Sequence, residues 1–326
     1  MLNQTAFEQR HKPDWDKLEE ALKSLESSRL RRRGKAVSRE LPTLYAALCQ
    51  QHALALSRGY SHALTNHLHE LIVRAHHQLY KHKGHFLARS AQFLGGGFAR
   101  ALRREWRLFA ISCVLFFGTA IICGLLAASS QDFADMFMGG KNRSNLEQMY
   151  KPSDQPLRPA GMESATNLYM FGFYINNNIS IDFRVFAGGI LFGIGTVFFT
   201  VFNGVFIGAA SGHLTSIGYG EKFWSFVAGH SAPELIALCI SATAGLMLAR
   251  ALIKPGRQTR RLALTREAKQ AVPIIVGAGL MTLLAAFIEA YWSSMQHPLS
   301  VKLSVGAAIW ALIICYLVFS GRHGRY

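Results

Sequence analysis

The stretch Gly229-His230-Ser231-Ala232-Pro233-Glu234, followed without a break by LIALCISATAGLMLARALI (235–253), decides how the chain must be read. Its second part is nearly uncharged and has about the twenty residues that a helix needs to cross a bilayer core. Its first part sets a histidine and a glutamate at the mouth of that helix. Ionisable side chains at membrane depth are expensive, so they face a protein interior or a water-filled cavity rather than lipid. Ser231 to Glu234 also has the form of a capping box. Ser231 would be the N-cap, Glu234 would fold back to the backbone, and Pro233 would sit in the first turn, where its missing N–H is harmless. A spanning helix is therefore expected from about residue 232, ended by Lys254-Pro255-Gly256. Residues 223–228, with Trp224, read as a short interfacial segment ahead of the Gly229-His230 break.

Working outward, residues 109–128, 185–210, 272–292 and 303–319 are four more runs of the same kind. Five runs in 326 residues, half of them hydrophobic, specify an all-α polytopic transmembrane bundle. No apolar segment follows the charged residues 1–10, so no signal peptide is expected. Residues 1–100 read as an N-terminal cytoplasmic helical domain and 101–326 as the transmembrane domain. In the first, Trp15, Leu18, Leu22 and Leu25, then Leu41, Leu44 and Leu48, then Leu64, Leu68, Leu71, Val73 and Leu79 recur at helical spacing. A basic linker, 29–39, separates the first two groups. The pattern predicts three or four helices. His62, His69 and His76 fall seven apart on one stripe, too spread for a metal site and suited to an exposed, partner-facing surface.

The net charge of +16 is concentrated ahead of the first span, where nineteen Lys and Arg stand against nine Asp and Glu in residues 1–107. No nucleic-acid recognition motif accompanies it, so the expected partner of Arg100, Arg103, Arg104 and Arg107 is anionic lipid on the cytoplasmic side. Five scattered cysteines form neither a disulfide framework nor a CxxC. Residues 129–183 are mildly acidic and broken by Pro152, Pro156 and Pro159, which makes 129–164 an extracytoplasmic loop. An aromatic segment, 167–175, then stops at Asn176-Asn177-Asn178. It is short for a span and reads as a membrane-embedded motif that lies in the interface, re-enters or crosses. Charge favours crossing. The loop 254–271 carries Arg257, Arg260, Arg261 and three more basic residues against Glu267 alone, and only six crossings return it to the cytoplasm.

Glycines line the 185–210 run. Gly189 and Gly193, and then Gly204, Gly208 and Gly212, put small residues on one helix face, for a dimer or for packing within one subunit. If successive spans alternate in direction, Asn203, His230, Ser231, Glu234 and Glu289 share one leaflet. This intramembrane polar cluster admits three uses: a buried hydrogen-bonded network, a route for protons, ions or lipid, and acid/base or metal chemistry. The cap already accounts for the spacing of His230 and Glu234, and no HExxH, Gly-x-Ser-x-Gly or phosphate-binding loop is present. No enzyme activity, metal or cofactor is therefore expected.

Six motifs in order carry a resemblance. They are residues 170–178 (MFGFYINNN), 186–196, Asn203-Gly204-x-x-x-Gly208, Gly229-His230-x-x-x-Glu234-Leu235, Pro255-Gly256-x-x-x-Arg260 and Ile288-Glu289-Ala290. Over residues 105–325 the chain resembles the stage II sporulation protein M family, departing from it at Ser231, where glycine is usual. The resemblance implies a multi-pass protein of the bacterial inner membrane without recognised catalytic activity. In spore formers, the family member anchors peptidoglycan-degrading proteins. Other members occur near MoxR-type ATPases and von Willebrand factor A-like proteins, which become possible partners beside other membrane or envelope proteins. The expectation is a non-catalytic scaffold in the lipid bilayer, a homo-oligomer such as a dimer, with its N-terminus cytoplasmic. The alternative is a transporter, channel or lipid-handling protein that uses the cluster around Glu289.

Overall fold

The computed structural model describes residues 4–26, 34–80, 86–152 and 163–322. Among these the chain is helical throughout and divides into two compact units, residues 1–87 and 88–326. The linker residues 29–33, Pro156, Pro159, His323 and Arg325, singled out above, lie outside the described residues, as does the side chain of Leu25.

The first unit is a three-helix bundle: α1 (Gln4–Glu26), α2 (Gly34–Ser57) and α3 (His62–Tyr80). Its core is built from Trp15, Leu18, Leu22, Leu41, Leu48, Leu64, Leu68 and Leu71, the periodic residues of the sequence. Val73 is off that stripe and exposed. Trp15 donates its indole N–H to Gln51 (2.7 Å), so the one polar edge of this core is satisfied. Residues 34–39, expected as linker, are the first turns of α2. His62, His69 and His76 are all exposed along α3.

The second unit begins with α4 (Phe86–Gln92), a wide turn at Phe93–Gly97 and α5 (Phe98–Arg104). The bend needs glycine: Gly96 has φ 147°, and a Cβ there would stand 2.6 Å from the Gly321 Cα. The basic run does not simply lie on lipid. Phe98 and Leu102 are core residues, which is why the unit boundary falls at 87 rather than 100. Arg103 donates to the carbonyls of Leu317 and Ser320, and Arg100 donates to Gly321. Both arginines thus satisfy orphan carbonyls at the end of the last helix. Mutual repulsion with Arg100 and Arg322 adds to burial in lowering the Arg103 pKa. Arg104 and Arg107 remain exposed, as anchors at a membrane surface should.

Five helices are long and apolar enough to cross a membrane: α6 (Trp106–Ser129), α10 (Ile194–Ser216), α12 (Ser231–Ile253), α13 (Arg260–Ser293) and α14 (Leu299–Phe319). Between them lie α7 (Gln131–Met138), α8 (Gly140–Tyr150), α9 (Glu163–Ala187) and α11 (Gly220–Val227). Val114, Leu125, Ile194 and Leu312 point outward with two thirds or more of their surface exposed, as lipid-facing residues do. Helix α12 is the axis: 78% of its apolar window is buried, against 17% for α6 and for α14.

Three expectations are corrected. The run 185–210 is two helices, because Phe192 (φ 53°) and Gly193 (φ 87°) turn the chain between α9 and α10. The Asn176-Asn177-Asn178 motif does not stop its segment. Helix α9 continues through it to Ala187 and runs the length of the bundle, with Phe171 against Phe287 and Tyr291 near one end and Val185 accepting from Thr196 at the other. It is the sixth lengthwise helix, too polar to be seen by apolarity. The basic loop 254–271 is mostly the first turns of α13, and only residues 254–259 connect.

The glycine stripe is used inside the subunit. Gly204, Gly208 and Gly212 meet Thr119, Ala120 and Gly124 of α6, while Gly189 and Gly193 meet Gly245 and Ala249 of α12. At that second end Arg250 forms a fork with Glu105 (2.7 and 2.9 Å) and bonds Glu267 (2.7 Å), tying together the start of α6, the end of α12 and the first turns of α13.

Candidate functional site

At the opposite end of α12 the capping box does not form. His230 occupies the N-cap position without a side-chain cap, and Ser231 instead donates to Ala228 (3.3 Å) and accepts from the Trp310 indole (3.1 Å). Glu234 is thereby released from the backbone and turns to His230, whose Nε2 lies 3.8 Å from its Oε2. The reason for giving the pair no ligand role is removed with the cap.

Helix α13 supplies the third member. Its last turn, Glu289–Ser293, is π-helical, a widening that recurs at functional positions. Gly229 lets this turn come close, since a Cβ there would collide with the Trp292 ring. Among the described residues, His230, Glu234 and Glu289 form one group whose ligand atoms all lie within 4.8 Å of one another. His230 and Glu289 are buried. The imidazole is fixed from behind: Nδ1 is 2.9 Å from Ser293 Oγ, and the Ser293 carbonyl accepts from Lys302 Nζ (2.7 Å). Lys302 is 3% exposed and lies 5.8 Å from the Trp292 ring centroid.

An aromatic cover closes the group on the loop side. Phe226 of α11 meets His230 edge-on at 5.3 Å, and Tyr150 of α8 packs edge-on against Phe223 and Phe226. Burial first, then the negative charge of Glu289, raises the Tyr150 hydroxyl above the ordinary tyrosine range.

Asn203 does not join the group. It donates to Phe199 (2.8 Å) and lines a separate cavity of about 190 Å³ whose other polar walls include Asn177, Asn178, Asp182, Glu234 and Thr282. Glu234 is the wall the two share. Asp182, 5% exposed, accepts from Thr282. Asn178 is buried beside it, whereas Asn176 and Asn177 are largely exposed. Arg257, Arg260 and Arg261 stay exposed at the far end, with the Arg260 guanidinium 5.9 Å above the Phe192 ring.

Sequence reasoning passed over Lys302, Asp182, Ser293 and Tyr150. Lys302 and Asp182 carried a signal, a lone charge in or beside an apolar run, which membrane energetics treats as functional by default. Ser293 and Tyr150 carried none, since their roles arise only when α8 and α13 are folded onto α12.

Fold and site together define a polytopic helical membrane protein with an ionisable group sealed inside one end of its bundle. Residues 113–294 match stage II sporulation protein M, and the chain belongs to that family, as its six motifs indicated. The family is not a known enzyme family. Residues 5–81 match a separate domain of unknown function, DUF8413. An uncharacterized protein of Methanocaldococcus jannaschii is similar, 27% identical over 125 residues that cover 38% of this chain and 70% of the archaeal one. No solved structure matches the chain.

Proposed function

We propose that the protein is a non-catalytic membrane anchor that organises an envelope-associated complex in the bacterial inner membrane, with residues 1–87 on the cytoplasmic side as its partner-binding unit. The observation that carries this reading is the division of the chain into a small helical unit and a membrane bundle that match different families. The small unit has its own packed core and offers an exposed histidine stripe. The bundle is held by fixed ion pairs and close glycine contacts, as suits an anchor. Exposed Arg104, Arg107, Arg257 and Arg261 gather at the bundle end where Arg250 meets Glu105, which supports a cytoplasmic placement of that end by the positive-inside rule. Envelope proteins of the MoxR-type ATPase or von Willebrand factor A-like kinds belong to this reading as partners. So does a homodimer, formed through the lipid-facing sides of α6 or α14 because the glycine faces are occupied. The test is crosslinking and isolation from native membranes with the full chain and with a chain lacking residues 1–87. Loss of co-isolated partners from the shortened chain is expected. Their full retention would overturn the assignment of partner binding to this unit.

A second reading, ion or lipid handling, is favoured by the polar cavity between Asn178, Asp182, Asn203 and Glu234. It requires flux through reconstituted vesicles that Glu234→Gln abolishes.

A further inference from the structure

We infer that His230, Glu234 and Glu289 are the ligands of one divalent transition-metal ion, of the zinc or manganese class, held where α12 begins and α13 ends. The inference goes beyond the anchoring role and does not depend on it.

Three observations meet here. The ligand atoms converge from two helices whose members are 55 or more residues apart in sequence, all within 4.8 Å of one another. Bonds of about 2.0–2.2 Å to a common ion would set them roughly 3–4 Å apart, so side-chain rotation suffices to close the set. Next, 3.8 Å between His230 Nε2 and Glu234 Oε2 is too long for a hydrogen bond. The imidazole is not simply a donor to that carboxylate. Finally, the other ring nitrogen is engaged by Ser293 Oγ at 2.9 Å, and Ser293 is itself pinned by Lys302. With Nδ1–H donated to Ser293, the Nε2 lone pair faces oxygen lone pairs, an arrangement that a cation between them makes favourable. An outer partner that fixes the tautomer is the usual support of a metal-bound histidine.

The donor set selects the metal class. One imidazole with two carboxylates is too hard for copper(I) and softer than the all-oxygen cages of calcium or magnesium, which leaves zinc, manganese or ferrous iron. Three protein ligands also leave a coordination position open. Glu234 is shared with the cavity of about 190 Å³ lined by Asn203 and Asp182, which gives room for a water or a small oxygen ligand beside the ion.

The test uses the untagged full chain, purified in detergent, stripped with chelator and titrated with zinc or manganese. Bound metal is read by mass spectrometry, and the thermal midpoint is followed in parallel. One ion per chain is expected, with affinity at least tenfold weaker in His230→Ala and in Glu289→Gln. Ser293→Ala, which removes the outer partner, should weaken binding by the folded protein about tenfold and shrink the rise in thermal midpoint that zinc gives. His62→Ala and His69→Ala together control for binding by the exposed stripe and should change nothing. If the ligand variants fail to fold, X-ray absorption of the zinc-loaded wild type decides the matter: one imidazole nitrogen with oxygen neighbours supports the site. Absence of stoichiometric metal, a shell of several imidazoles, or undiminished affinity in folded His230→Ala would overturn it.

Discussion

Thr282 sits one hydroxyl away from a buried carboxylate. Asp182 accepts from it deep between α9 and α13. Thr282→Val keeps the shape and removes the donor, so the cost is the loss of a hydrogen bond to a buried carboxyl group, about 1–3 kcal/mol. A lower thermal midpoint in detergent is the expected outcome, and an unchanged one would mean that Asp182 is satisfied from elsewhere. Lys302 argues similarly. Its ammonium is held by the Ser293 carbonyl in the first turn of α14, where lysine at a span end would ordinarily reach for water. Lys302→Met should lower folded yield in membranes by exposing that carbonyl to an apolar neighbour, whereas Lys302→Arg should recover part of it. At this scale the sequence disclosed the ionisable trio, as a polar cluster to which it gave no metal, but not the trio's support. His230, Glu234 and Glu289 stand out because each is ionisable in or beside an apolar run. The capping-box reading misassigned Ser231 and Glu234, since a local pattern cannot weigh the competing pull of Trp310 and His230, which arrive from elsewhere in the chain or with another rotamer.

Helix α10 lies on α6 because glycines at every fourth position let two backbones touch. A Cβ at Gly208 would fall 2.9 Å from the Ala120 carbonyl carbon, backbone that cannot move aside. Gly208→Leu is therefore predicted to separate the pair, costing at least the 1–3 kcal/mol typical of overpacking, and to reduce the fraction of monodisperse protein after extraction. Substitution of Gly279, around which nothing lies within 4 Å, is the matched control and should be tolerated. The same stripe was legible from spacing, but not whether it faced a second copy or its own chain, because that depends on where α6 lands. The five apolar spans were readable from composition. Helix α9 was not, since Asn176, Asp182 and Arg184 interrupt its hydropathy, while Thr282 of α13, which donates to the buried Asp182, is remote in sequence.

For the whole molecule, direction follows from the six lengthwise helices. The start of α6, the end of α12 and the end of α14 fall at one end, bound by Glu105 to Arg250 and by Arg103 to Leu317. With that end cytoplasmic, as proposed, a cysteine introduced at exposed Arg260 should be labelled by an impermeant maleimide only after the membrane is opened. One introduced at Lys141 in α8 should react from the outer side in intact spheroplasts, and the reverse pattern would invert the proposed topology. The contacts divide the chain after residue 87, thirteen residues before the boundary read from sequence, where Phe98 and Leu102 look like the apolar side of a surface helix. They are core residues of the membrane unit.

Arg100 and Arg103, near the beginning of the bundle, find acceptors in Leu317, Ser320 and Gly321, more than two hundred residues later. Because those acceptors are synthesised last, the contacts can form only once the final helix is in place. A premature stop between residues 293 and 317 would remove all three acceptors and leave α12 without its contacts to α14. Such truncations are expected to lower the amount of folded protein in the membrane.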